Sequence, residues 1–541
     1  MPTLHICTEL GLEALPFTLG GSLADILRPT RFRVGQPCGG CGRCGGCRVR
    51  VTQGVTGDST AAELRHLTLG QMQRGTRLAC QLTPSGDMTV EVLDPAIAWR
   101  ELRQDECAPV SVVPVPSGAS AASAGLGVAV DLGTTQIRVT VWDMSRRCRL
   151  GGCSGLNPQT GFGANVLARL ETATRSGEDA ATIGRVARDA IGDAIEHVLR
   201  WGRLDRSEVR HVVIVGNTSM LALLTESGYG ALLEPDFWSR EIECHVTDPR
   251  AWARAWGLPE STRIEIARPL AGFVGSDLLA GVLATGMTEG TAETLLLDIG
   301  TNSEIAVWDG AVLWVTSAPG GPAFEGCGTD FGMPAEAGAV CRVRPRDASS
   351  DFSYDVIGGQ VPQGLCGSAL VDVIACLVRE GSLKRMGNFA PEVGDSGVVV
   401  VEGRPDLVLT NRDVDAFQRA KAAIGAGTQC LLEEAEVAAS NLERVYVCGA
   451  FGHFLDVANS QEVGLLPSGV PPESFELWGN AALAGCELLL FAPEGAAALE
   501  RVREKARLVN MAFVPGFDDL FVQNLYLEPA GELQTVGGDP V

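Results

Sequence analysis

Between Cys38 and Cys47 the chain reads CGGCGRCGGC, a run of cysteine and glycine broken by a single arginine. No other stretch restricts the fold as strongly. Glycine reaches backbone angles that other residues avoid, so such a loop can close its amides around a compact anion. Thiols this dense are too many for packing and point to a metal site, either an iron–sulfur cluster or zinc. The bland alternative is a flexible loop with incidental thiols.

Spacing separates the options. Each neighbouring pair is C-x2-C, but a bacterial [4Fe–4S] run ends in C-x3-C-P, and no proline follows Cys47. With Cys41 skipped, the pattern is C-x5-C-x2-C, one residue longer than the plant-type C-x4-C-x2-C spacing. That pattern needs a distant fourth thiolate, which Cys80 supplies in RLACQL. CRVRVTQG after Cys47 alternates like a strand and ends in a turn, and DMTVEVL after Cys80 reads as another strand. A cysteine loop feeding a strand, with a later cysteine before a further strand, is a ferredoxin layout. The expected ligands of a [2Fe–2S] cluster are therefore Cys38, Cys44, Cys47 and Cys80, with Cys41 spare. A zinc site stays open as the alternative.

At 541 residues, 45% hydrophobic and 20% charged, the chain is expected to build two to four globular domains. A net charge of −23 argues against nucleic acid and against an anionic membrane surface as partners. No apolar run reaches transmembrane length. MPTLHICTELGLEALPF lacks the basic region, long apolar core and cleavage site of a signal peptide. The remaining cysteines read as reduced thiols of a cytoplasmic protein.

Taken in order, residues 1–97 form the cluster domain. Residues 98–126 include APVSVVPVPSGASAASAG, which cannot build a core and reads as a flexible linker. Next, GVAVDLGTTQIRVTVWD is a strand, a tight turn and a second strand. In the turn, Asp131 can hold Mg²⁺ through water, while Gly133, Thr134 and Thr135 can approach phosphate oxygens. A plain hairpin turn is the competing explanation. The design recurs in LLLDIGTNSEIAVWD, with Asp298, Gly300, Thr301 and Asn302 in the turn. Two copies predict two similar lobes and one nucleotide. A third strand, in RVYVCGAFGHFL, runs into Gly449, Ala450, Phe451 and Gly452, a turn open enough for adenine or ribose.

These elements resemble the actin, sugar kinase and heat-shock chaperone ATPase superfamily. The two Asp-x-Gly turns match its phosphate motifs, and Gly449 to Gly452 its adenosine motif. RPLAGFVGSDLLAGVLATGM and WGNAALAGCELLL look like its two connecting helices, and FQRAKAAIGAG places Lys421 where members often contact nucleotide. The resemblance implies two ribonuclease-H-like lobes with ATP in the cleft between them, residues 127–290 and 291–541. The expected architecture is α/β and α+β: a β-grasp ferredoxin-like domain ahead of those lobes. One departure is Arg268, which precedes Pro269 where chaperone-type members often carry a glutamate, so the catalytic water is expected to be held differently.

A ferredoxin fused to this ATPase closely resembles the reductive activators of corrinoid proteins. The likeness includes LNPQTGFGANVLARL, VGNTSM, SAPGGPAFEG, GLCGSAL, QRAKAAI and GLLP. It implies ATP-dependent transfer of one electron to a Co(II) corrinoid protein, restoring Co(I) for methyl transfer, with an upstream electron donor and a homodimer. Asp131 and Asp298 would organise the catalytic Mg²⁺. GPAFEG and GLCGSAL read equally well as turn-and-cap glycine chemistry. Two rival functions stay open: a small-molecule kinase of the same superfamily with a regulatory cluster, for which the sequence carries no distinct sugar pocket or base, and a non-catalytic electron-transfer or scaffold protein whose ATP site only binds, against which the intact phosphate motifs argue.

Overall fold

The computed structural model describes residues 1–8, 11–30, 32–35, 40–42, 45–93, 99–102, 125–163, 165–326, 328–345, 352–394, 396–403, 406–449 and 452–530. Cys38, Cys44, Ala450 and Phe451, with most of the stretch read as linker, lie outside them. The described residues divide into two compact units. The first takes in 1–102, 125–277 and 486–497; the second takes in 278–485 and 498–530.

The first unit begins with a five-stranded sheet in the order Gly11–Pro16, Thr3–Thr8, Met88–Val92, Arg48–Gln53, Thr76–Leu78. Its first and last long strands, Thr3–Thr8 and Met88–Val92, run parallel between antiparallel partners, the β-grasp arrangement expected from the sequence. Leu4, Ile6, Val49, Leu78 and Val90 point to one side and bury a common core with Leu23 and Leu27 of the helix Leu23–Leu27. Each fully buried aliphatic side chain contributes about 1.5–3 kcal/mol. Arg28, just after that helix, lies over the Phe162 ring with 5.6 Å to its centroid.

The rest of this unit is built on a six-stranded sheet ordered Arg263–Ile266, Val209–Gly216, Leu126–Leu132, Gln136–Asp143, Cys148–Leu156, Arg100–Glu101. Three consecutive strands form an antiparallel meander; Val209–Gly216 adds in parallel to the first of them, and Arg263–Ile266 in parallel to Val209–Gly216. Leu126–Leu132 is buried at every position, as a central strand covered on both faces must be. The helix Gly177–Trp201 covers the sheet; Ser176 caps it by accepting from the Asp179 N–H. Arg100–Glu101, inside the stretch read as linker, pairs with Cys148–Leu156 and extends the sheet.

The second unit repeats the plan: Phe475–Leu477, Arg444–Cys448, Thr294–Asp298, Ser303–Trp308, Leu313–Ala318, Ala506–Leu508. Again a meander of three strands receives parallel strands beside its first member. The helix Asn411–Glu434 packs here, opened by a reciprocal cap between Thr410 and Asp413. The two sheets are the pair of ribonuclease-H-like lobes expected from the twin turns.

The boundary between the units falls inside the helices Ser276–Thr285 and Ala481–Phe491 and inside the helical turn Gly495–Leu499. The first is shorter than the apolar stretch RPLAGFVGSDLLAGVLATGM promises, because Pro269, Gly272 and Gly275 keep its leading half irregular. Ala271 and Val274 form an isolated bridge there. Among the described residues no single helix is long and apolar enough to cross a membrane.

Candidate active site: two phosphate turns and a cysteine loop

Asp131 is the penultimate residue of Leu126–Leu132 and is buried. Strand register sets it opposite Arg138, whose Nη1 lies 3.5 Å from the carboxylate. The turn closes through the Gly133 N–H, which donates to the Gln136 carbonyl at 3.0 Å. Thr134 and Thr135 are both buried. The motif LNPQTGFGANVLARL wraps this turn from behind. Asn157 donates from Nδ2 to the Gly133 carbonyl at 2.8 Å, and the fully buried Arg169 donates to the Thr134 carbonyl at 2.6 Å. The Asn157 N–H donates to the Thr135 carbonyl. The carbonyls of Gly133, Thr134 and Thr135 are thus all engaged by donors from this motif.

The second turn follows Thr294–Asp298. Asp298 is half-buried and pairs in register with Glu304 on one side and Cys448 on the other. Burial, with the Asp298 charge adding to it, pushes the Cys448 thiol well above its ordinary value, so this thiol stays protonated. Thr301 is buried, and its backbone N–H donates to Glu325 Oε2 at 3.0 Å; its hydroxyl donates to the same oxygen. The Asn302 amide nitrogen, Nδ2, is buried without a hydrogen-bond partner. A buried donor left unpaired costs about 1–3 kcal/mol, so this amide is suited to an acceptor that binds there.

The third glycine turn lies beside the second. The Ile299 N–H donates to the Cys448 carbonyl at 3.1 Å, and Gly449 follows with φ of 107°. A Cβ at Gly449 would stand 2.4 Å from the Ile299 carbonyl oxygen, so only glycine lets these two turns approach. Gly452 closes the turn on the Gly449 carbonyl. Within the second unit, then, Asp298, Gly300, Thr301, Asn302, Gly449 and Gly452 gather at one end of neighbouring strands.

Lys421 is on Asn411–Glu434, as expected, and is buried. Its amine donates to the Tyr526 carbonyl, tying the helix to the segment after Phe517–Gln523. Burial lowers its pKa to about 7, against the opposing pull of Glu528. Arg268, at the position of departure from chaperone-type members, is ion-paired with Glu241.

In the cysteine loop, Cys47 is buried at the entrance to Arg48–Gln53 and Cys41 is exposed. The Ala79 N–H donates to the Cys47 carbonyl at 2.8 Å, which ties Cys47 to the segment that carries Cys80. Gln81 directs its Nε2 at the Cys80 sulfur from 3.5 Å. Among the described residues no group of three His, Cys, Asp or Glu side chains is gathered as a metal site, two of the four expected ligands being Cys38 and Cys44. The part that is described fits thiolate ligation: Cys47 and Cys80 lie on backbone-bonded segments, and the Cys80 sulfur has an N–H donor.

Sequence reasoning missed Arg138, Arg169 and Glu325. The signals available were a basic residue facing Asp131 across a hairpin, an arginine on the buried face of an amphipathic helix, and the unassigned motif GPAFEG.

Comparison with known proteins follows the same divisions. Residues 13–85 match the family model of the 2Fe-2S iron-sulfur cluster binding domain. Residues 126–290 match that of the RACo middle region, and 292–535 that of the C-terminal domain of RACo, the ASKHA domain. The chain is 33% identical over 424 residues to the corrinoid activation enzyme RamQ of Eubacterium limosum, covering 74% of this chain and 70% of that one. It is 25% identical over 410 residues to the Co(II) methylated amine-specific corrinoid protein reductase of Methanosarcina barkeri, covering 71% of each. A solved structure, titled as a reductive activator for a corrinoid, iron-sulfur protein, superposes with a TM-score of 0.66 at 24% identity over 98% of this chain and 99% of that one. That likeness concerns the fold.

Proposed function

Because this chain belongs to the family of reductive activators of corrinoid proteins, we propose that it spends ATP to return a corrinoid protein from Co(II) to Co(I). One electron passes from this chain to the cobalt, and an upstream one-electron donor replaces it. The reading is carried by one observation. The same strand–turn–strand unit, with Asp-x-Gly-Thr at its turn, is built twice in a chain that also carries a cysteine-loop β-grasp domain.

The residues divide the work. Cys38, Cys44, Cys47 and Cys80 hold the [2Fe–2S] cluster in residues 1–97, with Cys41 left out. When bound, the cluster supplies one-electron transfer. Asp131 and Asp298 offer hard oxygen ligands to Mg²⁺ or to its waters. Gly133 and Gly300 let the backbone come close to phosphate, Thr134, Thr135, Thr301 and Asn302 supply donors to it, and the turn from Gly449 to Gly452 takes the adenosine. Arg169 and Asn157 hold the first turn in shape through its carbonyls. Lys421 is assigned to the nucleotide side of its helix in the superfamily; here it supports the site by anchoring the Tyr526 segment. The protein works in the cytoplasm, as a homodimer.

The test uses anaerobic protein, a chemical reductant, Mg–ATP and the cognate Co(II) corrinoid protein. Wild type is expected to produce the Co(I) absorption band. Asp298→Asn is expected to keep its cluster and accept an electron, yet fail to produce Co(I), and wild type without ATP is expected to match it. Co(I) appearing equally fast and fully without ATP would refute the proposal.

A further inference from the structure

The second phosphate turn already holds an acidic side chain. Glu325 lies in the short helical turn Pro322–Glu325, inside GPAFEG. Its Oε2 accepts from the Thr301 backbone N–H at 3.0 Å and from the Thr301 hydroxyl. These are the two Thr301 groups that a phosphate would use. A carboxylate oxygen matches a phosphoryl oxygen in charge sign and in accepting such donors. The adjacent Asn302 Nδ2 is buried with no partner. One donor set of the turn is thus met by a side chain of the protein itself, and a neighbouring donor is left for a larger anion.

The segment bearing Glu325 is fixed on its other sides. The Gly321 N–H donates to the Thr301 carbonyl at 2.9 Å. Phe324 is buried and meets the Phe417 ring edge-on, with centroids 5.6 Å apart, on the helix Asn411–Glu434. Gly367 of GLCGSAL packs so closely that an added Cβ would lie 2.5 Å from the Phe324 carbonyl oxygen. Moving the Glu325 carboxylate off Thr301 therefore disturbs a segment in direct contact with two helices, Asn411–Glu434 and Gly367–Glu380.

We propose that Glu325 competes with a nucleotide phosphate for Thr301, so that nucleotide loading displaces this carboxylate and is sensed by the GPAFEG segment. The inference rests on the reading of Asp298 to Asn302 as a phosphate turn. GPAFEG then acts as the sensor of that turn, and GLCGSAL as its backing.

The experiment measures dissociation constants by titration calorimetry on the full-length holoprotein, with Mg–ATP and with adenosine. Glu325→Ala removes the competitor and one repelling charge, so Mg–ATP is expected to bind roughly tenfold more tightly or better, on the scale of one charge-assisted hydrogen bond. Adenosine, which has no phosphate, is expected to bind unchanged. Glu325→Gln keeps the size of the side chain and loses the charge. It is expected to tighten Mg–ATP by a smaller factor, and it guards against an alanine variant that fails to fold. Thr301→Ala separates the two levels. If wild type binds Mg–ATP and Thr301→Ala weakens it, the phosphate reading stands. Unchanged or weaker Mg–ATP binding by both Glu325 variants then overturns this inference alone, as does equal tightening for adenosine. If wild type does not bind Mg–ATP, or if Thr301→Ala leaves binding as it was, the phosphate reading itself fails.

Discussion

Replacing Glu63 with glutamine should cripple the cluster domain, although Glu63 is no cluster ligand. The side chain is fully buried in the helix Ala61–His66. Its carboxylate accepts from Arg77 Nε at 2.7 Å, Arg77 Nη2 at 2.9 Å, the Leu78 N–H at 3.0 Å and the Thr60 N–H at 2.9 Å. Arg77 is itself buried and also donates to the Gly57 and Asp58 carbonyls. Glu63→Gln leaves that guanidinium without its counter-charge, which for a broken buried pair costs about 3–5 kcal/mol. Domains are typically stable by about 5–15 kcal/mol, so the loss is a large share. It falls on Thr76–Leu78, the strand that delivers Cys80. The assay is thermal loss of visible circular dichroism from the cluster, which reports this domain within the whole chain; the midpoint should fall by at least about 10 °C. Replacing both partners, Glu63→Gln with Arg77→Met, should recover most of the loss, since an absent pair costs less than a broken one. Acid should narrow the difference. Burial alone would raise the Glu63 pKa, but the bonds from Arg77 and from the Thr60 and Leu78 N–H groups take it below its ordinary 4.5. A carboxyl depressed on folding contributes stability above its unfolded pKa and loses it as pH falls through the folded value. Wild type and Glu63→Gln should therefore converge as pH drops below 4.5. A midpoint shift under about 2 °C at neutral pH would refute the assignment of this pair as the domain's support.

Two further outcomes are expected. Iron analysis should find about two irons per chain; Cys80→Ser should lose or severely disturb the cluster while Cys41→Ser keeps it, and four irons, or loss only in the Cys41 variant, would overturn the ligand set. Residues 99–541, which retain the edge strand Arg100–Glu101, should fold and bind ATP without iron, and a fragment soluble only when the cluster domain is restored would show one integrated domain instead.

What the sequence made legible was local. GVAVDLGTTQIRVTVWD and LLLDIGTNSEIAVWD announce hairpins because strand, turn and strand are contiguous, and Asp131 and Asp298 fall where that pattern puts them. What escaped was held by distant partners. Arg169 reaches the Thr134 carbonyl across 35 positions, and Glu325 reaches Thr301 across 24. Lys421 binds a carbonyl 105 positions away, a contact that no helical pattern announces. The apolar stretch before Ser276 reads as helix by hydrophobicity, and its proline and glycines overrule that.

The energetic demand on such a chain is modest. A plant-type cluster sits near −400 mV, and a corrinoid Co(II)/Co(I) couple is expected to lie lower. If the gap is about 100 mV, it costs about 2.3 kcal/mol, or roughly fiftyfold in equilibrium at about 59 mV per decade. Gripping the Co(II) partner differently from the Co(I) partner can cover that, and no ligand shifts an equilibrium by more than its differential affinity for the two states. ATP needs a place in the chain where its presence and absence select different packings. On the competition proposed above, Thr301 is such a place. Its pair of donors is held by the Glu325 carboxylate, and a phosphate would have to displace that carboxylate to use them. Phe324, next in the chain, is packed on Phe417 of a 24-residue helix, so the choice between acceptors is also a choice made at the wall of the core. A packed core shifts between discrete arrangements and does not yield gradually. Competition for a single threonine is therefore enough to give nucleotide a two-state element on which to act.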